Sequence, residues 1–291
     1  LQVPNPQVPA SQIRLGEATA LFHLGSYAKV VDLLQSSGSS NSAGFVLLGS
    51  AQALLGNLPA AVKTFQNAAA LFPNDPQVYF RLALIFSEGG RDQEAQAVLT
   101  TGLNRIPHSP LLQYAQAVLD EIAGKDEAAI RWAEQSLSGD DKQSEVWGLV
   151  GTLYDRRRRT GDAVKAYRQA LALGAGAYTG AKYAELLVRL QKYGEAESEL
   201  LSLDRRFPHD ERVNRALGKL YRARGDFSRA EVYLKHAIRL DPSDPQAHYV
   251  LAQVLQHLGQ GDEASKELRV FKDTKEKSET IRLLELVDSS L

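Results

Sequence analysis

The chain has 291 residues, with 34 Lys and Arg against 35 Asp and Glu, so no overall basic field is available to gather nucleic acid. It contains no cysteine, which excludes a disulfide framework, a thiolate metal site and a cysteine nucleophile. It contains no methionine either, even at position 1, so an initiator is expected to have been removed and no signal peptide can be read.

Residues 1–10 hold Pro4, Pro6 and Pro9 and are expected to form an extended lead-in. From 11 to 41 a first, irregular unit follows: Leu15, Ala18, Leu21 and Leu24 recur at helical spacing, Gly25 turns, and Tyr27 to Leu34 form a second helix. A Ser/Gly loop, residues 36–42, closes it. The unit at 42–75 carries Phe45, Leu48, Gly49, Gly56, Ala61, Phe65, Ala68 and Pro73. No charge occurs between Leu33 and Val62. A membrane-spanning helix needs about 20 unbroken apolar residues, and Gly56-Asn57-Leu58-Pro59 interrupts this run. The stretch reads instead as a neutral, partly apolar surface.

Units at 76–109 and 110–143 keep the same register, although Gln116 and Asp120 in the second stand where apolar residues are usual. The unit at 144–176 is one residue short and ends in Gly174-Ala175-Gly176 instead of proline, which predicts a local change of stacking angle. Units at 177–210, 211–244 and 245–278 complete the array. A charged capping helix over 279–287, with Ile281, Leu284 and Val287 on one face, is expected at the end. The segment Glu211–Asp244 is the clearest example. Val213, Leu217, Leu220 and Tyr221 form one apolar stripe; Ala230, Tyr233, Leu234, Ala237 and Ile238 form another; Gly225 breaks them and Asp241-Pro242 ends the unit. Neither short helix can bury its stripe alone, so neighbours are required.

The spacing of Trp147, Val150, Gly151, Tyr154, Ala163, Tyr167 and Ala170 resembles the tetratricopeptide repeat pattern. So does the series Asn214, Leu217, Gly218, Tyr221, Ala230, Leu234, Ala237 and Pro242. The resemblance covers roughly residues 11–272 and implies an all-α, right-handed superhelical solenoid of stacked antiparallel helix pairs, about eight in number. It further implies that the first helix of each pair lines a concave face and that unit positions 2, 5, 9 and 12 point into it. In this chain those positions bring Phe80, Leu84, Tyr114 and Val118 to one end of the groove. At the other end they bring Arg212, Arg215, Lys219 and Arg222, then Tyr249 and Gln253.

Four cations on one stripe repel one another by tenths of a kcal/mol per pair. They read either as a capture site for carboxylates or phosphates, or as partners of acids on adjacent units, notably Glu185. The apolar set reads either as peptide pockets or as tight packing between first helices. The chaperone-tail clamp of one tetratricopeptide subfamily is missing, since Leu15/Thr19, Val46/Ser50 and Phe80/Leu84 occupy its positions.

Other signals for chemistry are weak. Gly174 to Lys182 superficially resembles a phosphate loop, but Ala181 separates Gly180 from Lys182 and no strand precedes it. The six histidines are scattered without metal-ligand spacing. Arg156 to Arg159 falls at a helix end and its turn, where long cations are simply solvated. The expectation is a non-enzymatic scaffold or adaptor without cofactor or metal, without nucleic acid and without a membrane span. Its partner would be a protein or peptide with an acidic segment. The alternative is a structural subunit of a bacterial envelope or secretion assembly, docking through the uncharged N-terminal third. Absence of cysteine and the proline-rich start suit an exported protein.

Overall fold

The computed structural model describes residues 10–37 and 41–288, with side-chain surroundings for 12–36 and 41–275. The expected lead-in and part of the Ser/Gly loop lie outside the described residues. Among those residues every regular element is an α-helix. Contacts divide the chain into two compact units, residues 1–139 and 140–291.

The first unit holds α1 (Ala10–His23), α2 (Tyr27–Ser37), α3 (Ser42–Leu54), α4 (Leu58–Leu71), α5 (Pro76–Glu88), α6 (Asp92–Arg105), α7 (Pro110–Ile122) and α8 (Asp126–Gly139). The second holds α9 (Ser144–Arg156), α10 (Thr160–Ala172), α11 (Ala177–Arg189), α12 (Tyr193–Arg206), α13 (Glu211–Ala223), α14 (Phe227–Leu240), α15 (Pro245–His257) and α16 (Gly261–Asp288). Within each unit, odd and even helices pair through short turns, and pairs stack.

Start signals account for the helix entries. Pro76, Pro110 and Pro245 occupy the first helical turn, where a missing N–H costs nothing. Asp75, Ser109 and Asp244 cap those three helices with side-chain oxygens, and Asp210 caps α13 in the same way. The residue at unit position 4 then ties the helix to the preceding turn. Tyr79, Gln113, Trp147 and His248 each direct a side-chain donor at the carbonyl six residues upstream, at 2.9, 3.2, 2.8 and 3.1 Å. Four different side chains thus perform one task, which is why the position looks unconserved from unit to unit.

Close pairing depends on small residues facing large ones. A Cβ on Gly151 would lie 2.7 Å from the Tyr167 ring, and one on Gly218 would lie 2.5 Å from Leu234. The turn between paired helices repeats one left-handed residue, as at Gly225 (φ 78°), whose neighbour Asp226 donates its N–H to the Tyr221 carbonyl at 2.9 Å.

Packing within each unit is lopsided. First helices touch the next first helix (α1 to α3 to α5 to α7, and α9 to α11 to α13 to α15), whereas the second helices α2, α4, α6, α10, α12 and α14 meet only their own partner and the following first helix. First helices are therefore crowded and second helices spread, which puts α1, α3, α5 and α7 on the inner wall of the first unit. By the same reasoning, α9, α11, α13 and α15 line the inner wall of the second.

One expected boundary differs. Instead of a separate cap from 279, α16 runs unbroken from Gly261 to Asp288, because no glycine or proline occurs after Gly261 to interrupt it. The side chains of Ile281, Leu284 and Val287 lie outside the described residues.

Candidate functional site

On the inner wall of the first unit, α5 and α7 carry Phe80, Leu84, Tyr114 and Val118 around one cavity of about 200 Å³. Spacing of i and i+4 sets Phe80 above Leu84 on α5, and Tyr114 above Val118 and Ile122 on α7. The Phe80 and Tyr114 rings stack with centroids 6.4 Å apart and planes at 27°. Between the two ridges the buried residues are small, Ala83 and Ala115, with Leu99 of α6 below, and this step in side-chain size makes the hollow. Ile122 at its edge is 57% exposed. The volume falls below the roughly 300–1,000 Å³ of small-molecule sites and suits one bulky apolar side chain.

A second, polar cavity of about 380 Å³ lies between the start of α6 and the end of α7, with Asp92, Gln93, Gln96, Asp120 and Lys125 in its wall. Leu119 and Ile122 line both cavities. Gln96 and Gln116 exchange side-chain amide hydrogen bonds at 2.8 and 3.0 Å. The Asp120 carboxylate accepts from Gln116 at 3.4 Å and faces Lys125 at 3.8 Å. Gln116 and Asp120, out of place as apolar residues in the sequence, are buried here as a polar cluster.

In the second unit the four cations of α13 are already engaged. Arg212 pairs at 2.6 Å with Asp210, the cap of its own helix. Arg215 reaches Asp244, the cap of α15. Lys219 pairs at 2.7 Å with Glu185 of α11. Arg222 donates to the side-chain oxygen of Gln253 on α15. The pairing alternative raised by the stripe, Glu185 included, is therefore the arrangement found. Burial alone would push the Glu185 carboxyl up, but Lys219, with Lys182 and Arg215 further off, outweighs it and holds the group below its usual range. Asp210 follows the same logic: burial opposes ionisation, and Arg212 with the N–H groups of Arg212 and Val213 overcomes it. Tyr249 stays 41% exposed, its ring 5.2 Å from Phe271 of α16.

What the sequence missed were Asp210 and Asp244, which look like helix caps and turn out to be counter-charges as well. Their signal was present in part, since each stands one residue before a first helix: Asp210 faces Arg212 on the helix it caps, and Asp244 faces Arg215 on the preceding first helix. The arginine run lies exposed at the end of α9 and in the turn after it. Arg159 lies over the Tyr154 ring at 4.0 Å and pairs with Asp162 at 3.0 Å, while Arg158 forms the left-handed turn. Among the described residues no three His, Asp or Glu side chains gather as a metal site, and no helix is long and apolar enough to cross a membrane.

Fold and inner wall together define a helical-repeat scaffold of the kind that presents a surface to other proteins. A family model described as tetratricopeptide repeat matches residues 52–119 and 221–280, and the chain is a tetratricopeptide repeat protein. Solved structures similar to it include the Cut9-Hcn1 hetero-tetramer of the APC/C, with TM-score 0.69 and 16% identity over 86% of this chain and 50% of that one. This chain thus spans about half the length of that relative. A tetratricopeptide repeat protein from Parabacteroides merdae gives TM-score 0.62 and 17% identity over 84% and 97% of the two chains. PilW, a type IV pilus biogenesis factor, gives 0.61 and 17% over 66% and 90%. No curated protein matches by sequence.

Proposed function

We propose that the protein is a non-enzymatic adaptor that holds a segment of another protein against the inner wall of its first unit, with a bulky apolar side chain seated between α5 and α7. The observation that carries this reading is the hollow bounded by Phe80, Leu84, Tyr114 and Val118, an apolar patch with concave shape. The cations of α13, with Tyr249 and Gln253, are a weaker candidate, because three of the four face carboxylates of the same chain. An acidic partner would have to displace those pairs.

The test is selection of short random peptides on the full chain, followed by titration of the selected peptides. Binding is expected, and Val118→Asp, with its fold checked by circular dichroism, should abolish it. Peptides whose affinity survives both Val118→Asp and Leu84→Asp would refute the reading.

A second reading, docking on a larger assembly, is favoured by one feature. Leu54, Leu55 and Leu58 are 57%, 50% and 37% exposed around the turn joining α3 to α4, inside the uncharged stretch 33–62. PilW belongs to pilus biogenesis, and a comparable envelope role would use such a patch. Cross-linking in lysate that maps to α5 and α7 but never to 54–58 would remove this second reading.

A further inference from the structure

At unit position 11 the first helices α5, α9, α11, α13 and α15 carry Phe86, Tyr154, Leu187, Tyr221 and Leu255. These large side chains help fill the space between successive helices. In α3 the residue is Gln52, which closes a short buried bond of 2.7 Å with Thr64. In α7 it is Asp120, and here the bonding is incomplete. The side chain is 9% exposed, yet among the described residues its shortest polar contact is the 3.4 Å one to Gln116, and its cation, Lys125, stands 3.8 Å away and is 65% exposed. A desolvated carboxylate ordinarily receives charge-assisted bonds of about 2.7–2.9 Å, because burial without them is costly. Asp244, equally buried, has them from Arg215 and from the Gln246 N–H at 2.9 Å.

Where the aromatic or leucine is missing, the polar cavity of about 380 Å³ opens beside Asp120, and it adjoins the apolar hollow across Leu119 and Ile122. We propose that the two cavities form one two-chamber site for a protein segment that pairs a bulky apolar side chain with a neighbouring lysine or arginine. The apolar group sits between α5 and α7, and the cationic head takes its bonds from Asp120. Lys125, being largely in solvent, swings aside at little cost. Charge complementarity supports a basic occupant. The first unit has 8 Lys and Arg against 11 Asp and Glu, and Asp92 lines the same chamber. The inference rests on the adaptor reading given above and adds the chemistry of the ligand.

The probes are peptides selected from a short random library, each resynthesised with its Lys or Arg changed to Gln and titrated into the full chain by fluorescence anisotropy. Selected sequences should place a basic residue next to the apolar one, and the change to Gln should weaken binding about tenfold, as expected for one charge-assisted bond. Asp120→Asn should erase that tenfold difference while leaving the Gln peptides bound. Asp120→Leu, which restores the residue type of the other units, should do the same and guards against a folding artefact of the first variant. Selection of neutral or acidic neighbours, self-association of the chain through this face, or an unchanged Lys-to-Gln ratio in both variants would overturn the proposal. Loss of all binding in Val118→Asp together with an unchanged ratio in the Asp120 variants would leave the adaptor reading standing and sink only the two-chamber site.

Discussion

The two units use one repeat architecture for opposite ends. In the second, charges on successive first helices answer one another: Asp155 pairs with Arg189, Glu185 with Lys219 and Arg215 with Asp244. These bonds cross from one helix pair to the next, and so reinforce the stacking interfaces on which a repeat array depends. In the first, the α5 and α7 positions facing inward are aromatic and aliphatic, and the contact they make leaves a hollow. A charged inner wall is thus no sign of a charged ligand. Side chains that satisfy one another add cohesion, and the proposed binding surface lies where the chain leaves space unfilled.

The sharpest way to break this comparison is to remove one cohesive charge. Arg215→Leu leaves Asp244, whose side chain is 8% exposed, with the Gln246 N–H but no counter-charge, and losing one partner of a mostly buried pair should destabilise by about 3 kcal/mol. Urea unfolding followed by Trp147 fluorescence in a Trp132→Phe background reports the second unit, since each unit holds one of the two tryptophans. Peptide affinity at the first unit should not change. A stable Arg215→Leu protein that loses peptide would reverse the roles assigned to the two units. The companion change, Val118→Asp, should cost about 2 kcal/mol or more of binding, the range of an interface anchor, with the Trp147 transition unmoved.

The repeat and the inner wall were legible because both rest on period. Apolar residues every 34 positions, with a turn glycine and a closing proline, fix helix pairs whatever their neighbours, and the register that follows brings Phe80, Leu84, Tyr114 and Val118 to one hollow. The fate of the α13 cations was not legible from the stripe itself. Arg215 and Asp244 are 29 residues apart, and whether a long side chain reaches across depends on how two helices cross. Likewise Asp120 announced itself as an oddity in the register, but the cavity beside it exists only because α6 and α7 do not close over the missing side-chain volume.

A milder perturbation is acid. Glu185 and Asp210 both have carboxyl groups held below their usual range in the folded chain. A group depressed on folding contributes stability that is complete above its unfolded value, about 4.3 for Glu and 3.9 for Asp, and that fades as pH falls through the folded value. The Trp147 transition should therefore shift to lower urea as pH drops below about 4.3, and Glu185→Gln should flatten that dependence. An unaltered slope in Glu185→Gln would mean that the Lys219 pair contributes nothing to the second unit's cohesion.

The smallest expected effect lies in the turns and tests whether the units differ in backbone as well as in charge. Six of the turns between paired helices place glycine at φ between 69° and 78°, namely Gly25, Gly56, Gly90, Gly124, Gly225 and Gly259. In the second unit Arg158 and Gln191 occupy the same place at φ 61° and 59°. The closing bonds are retained there: the Arg159 N–H donates to the Tyr154 carbonyl at 2.8 Å and the Lys192 N–H to the Leu187 carbonyl at 2.9 Å. A side chain in the left-handed region costs about 1 kcal/mol, part of which glycine returns through its freer unfolded state. Arg158→Gly and Gln191→Gly should each stabilise the second unit by about 0.5 kcal/mol, whereas Gly225→Ala should destabilise it by about 1 kcal/mol. If both glycine variants instead lower the urea midpoint, the long side chains at 158 and 191 form contacts of their own that outweigh the backbone strain. The second unit's cohesion by polar side chains would then extend from its inner wall to its turns.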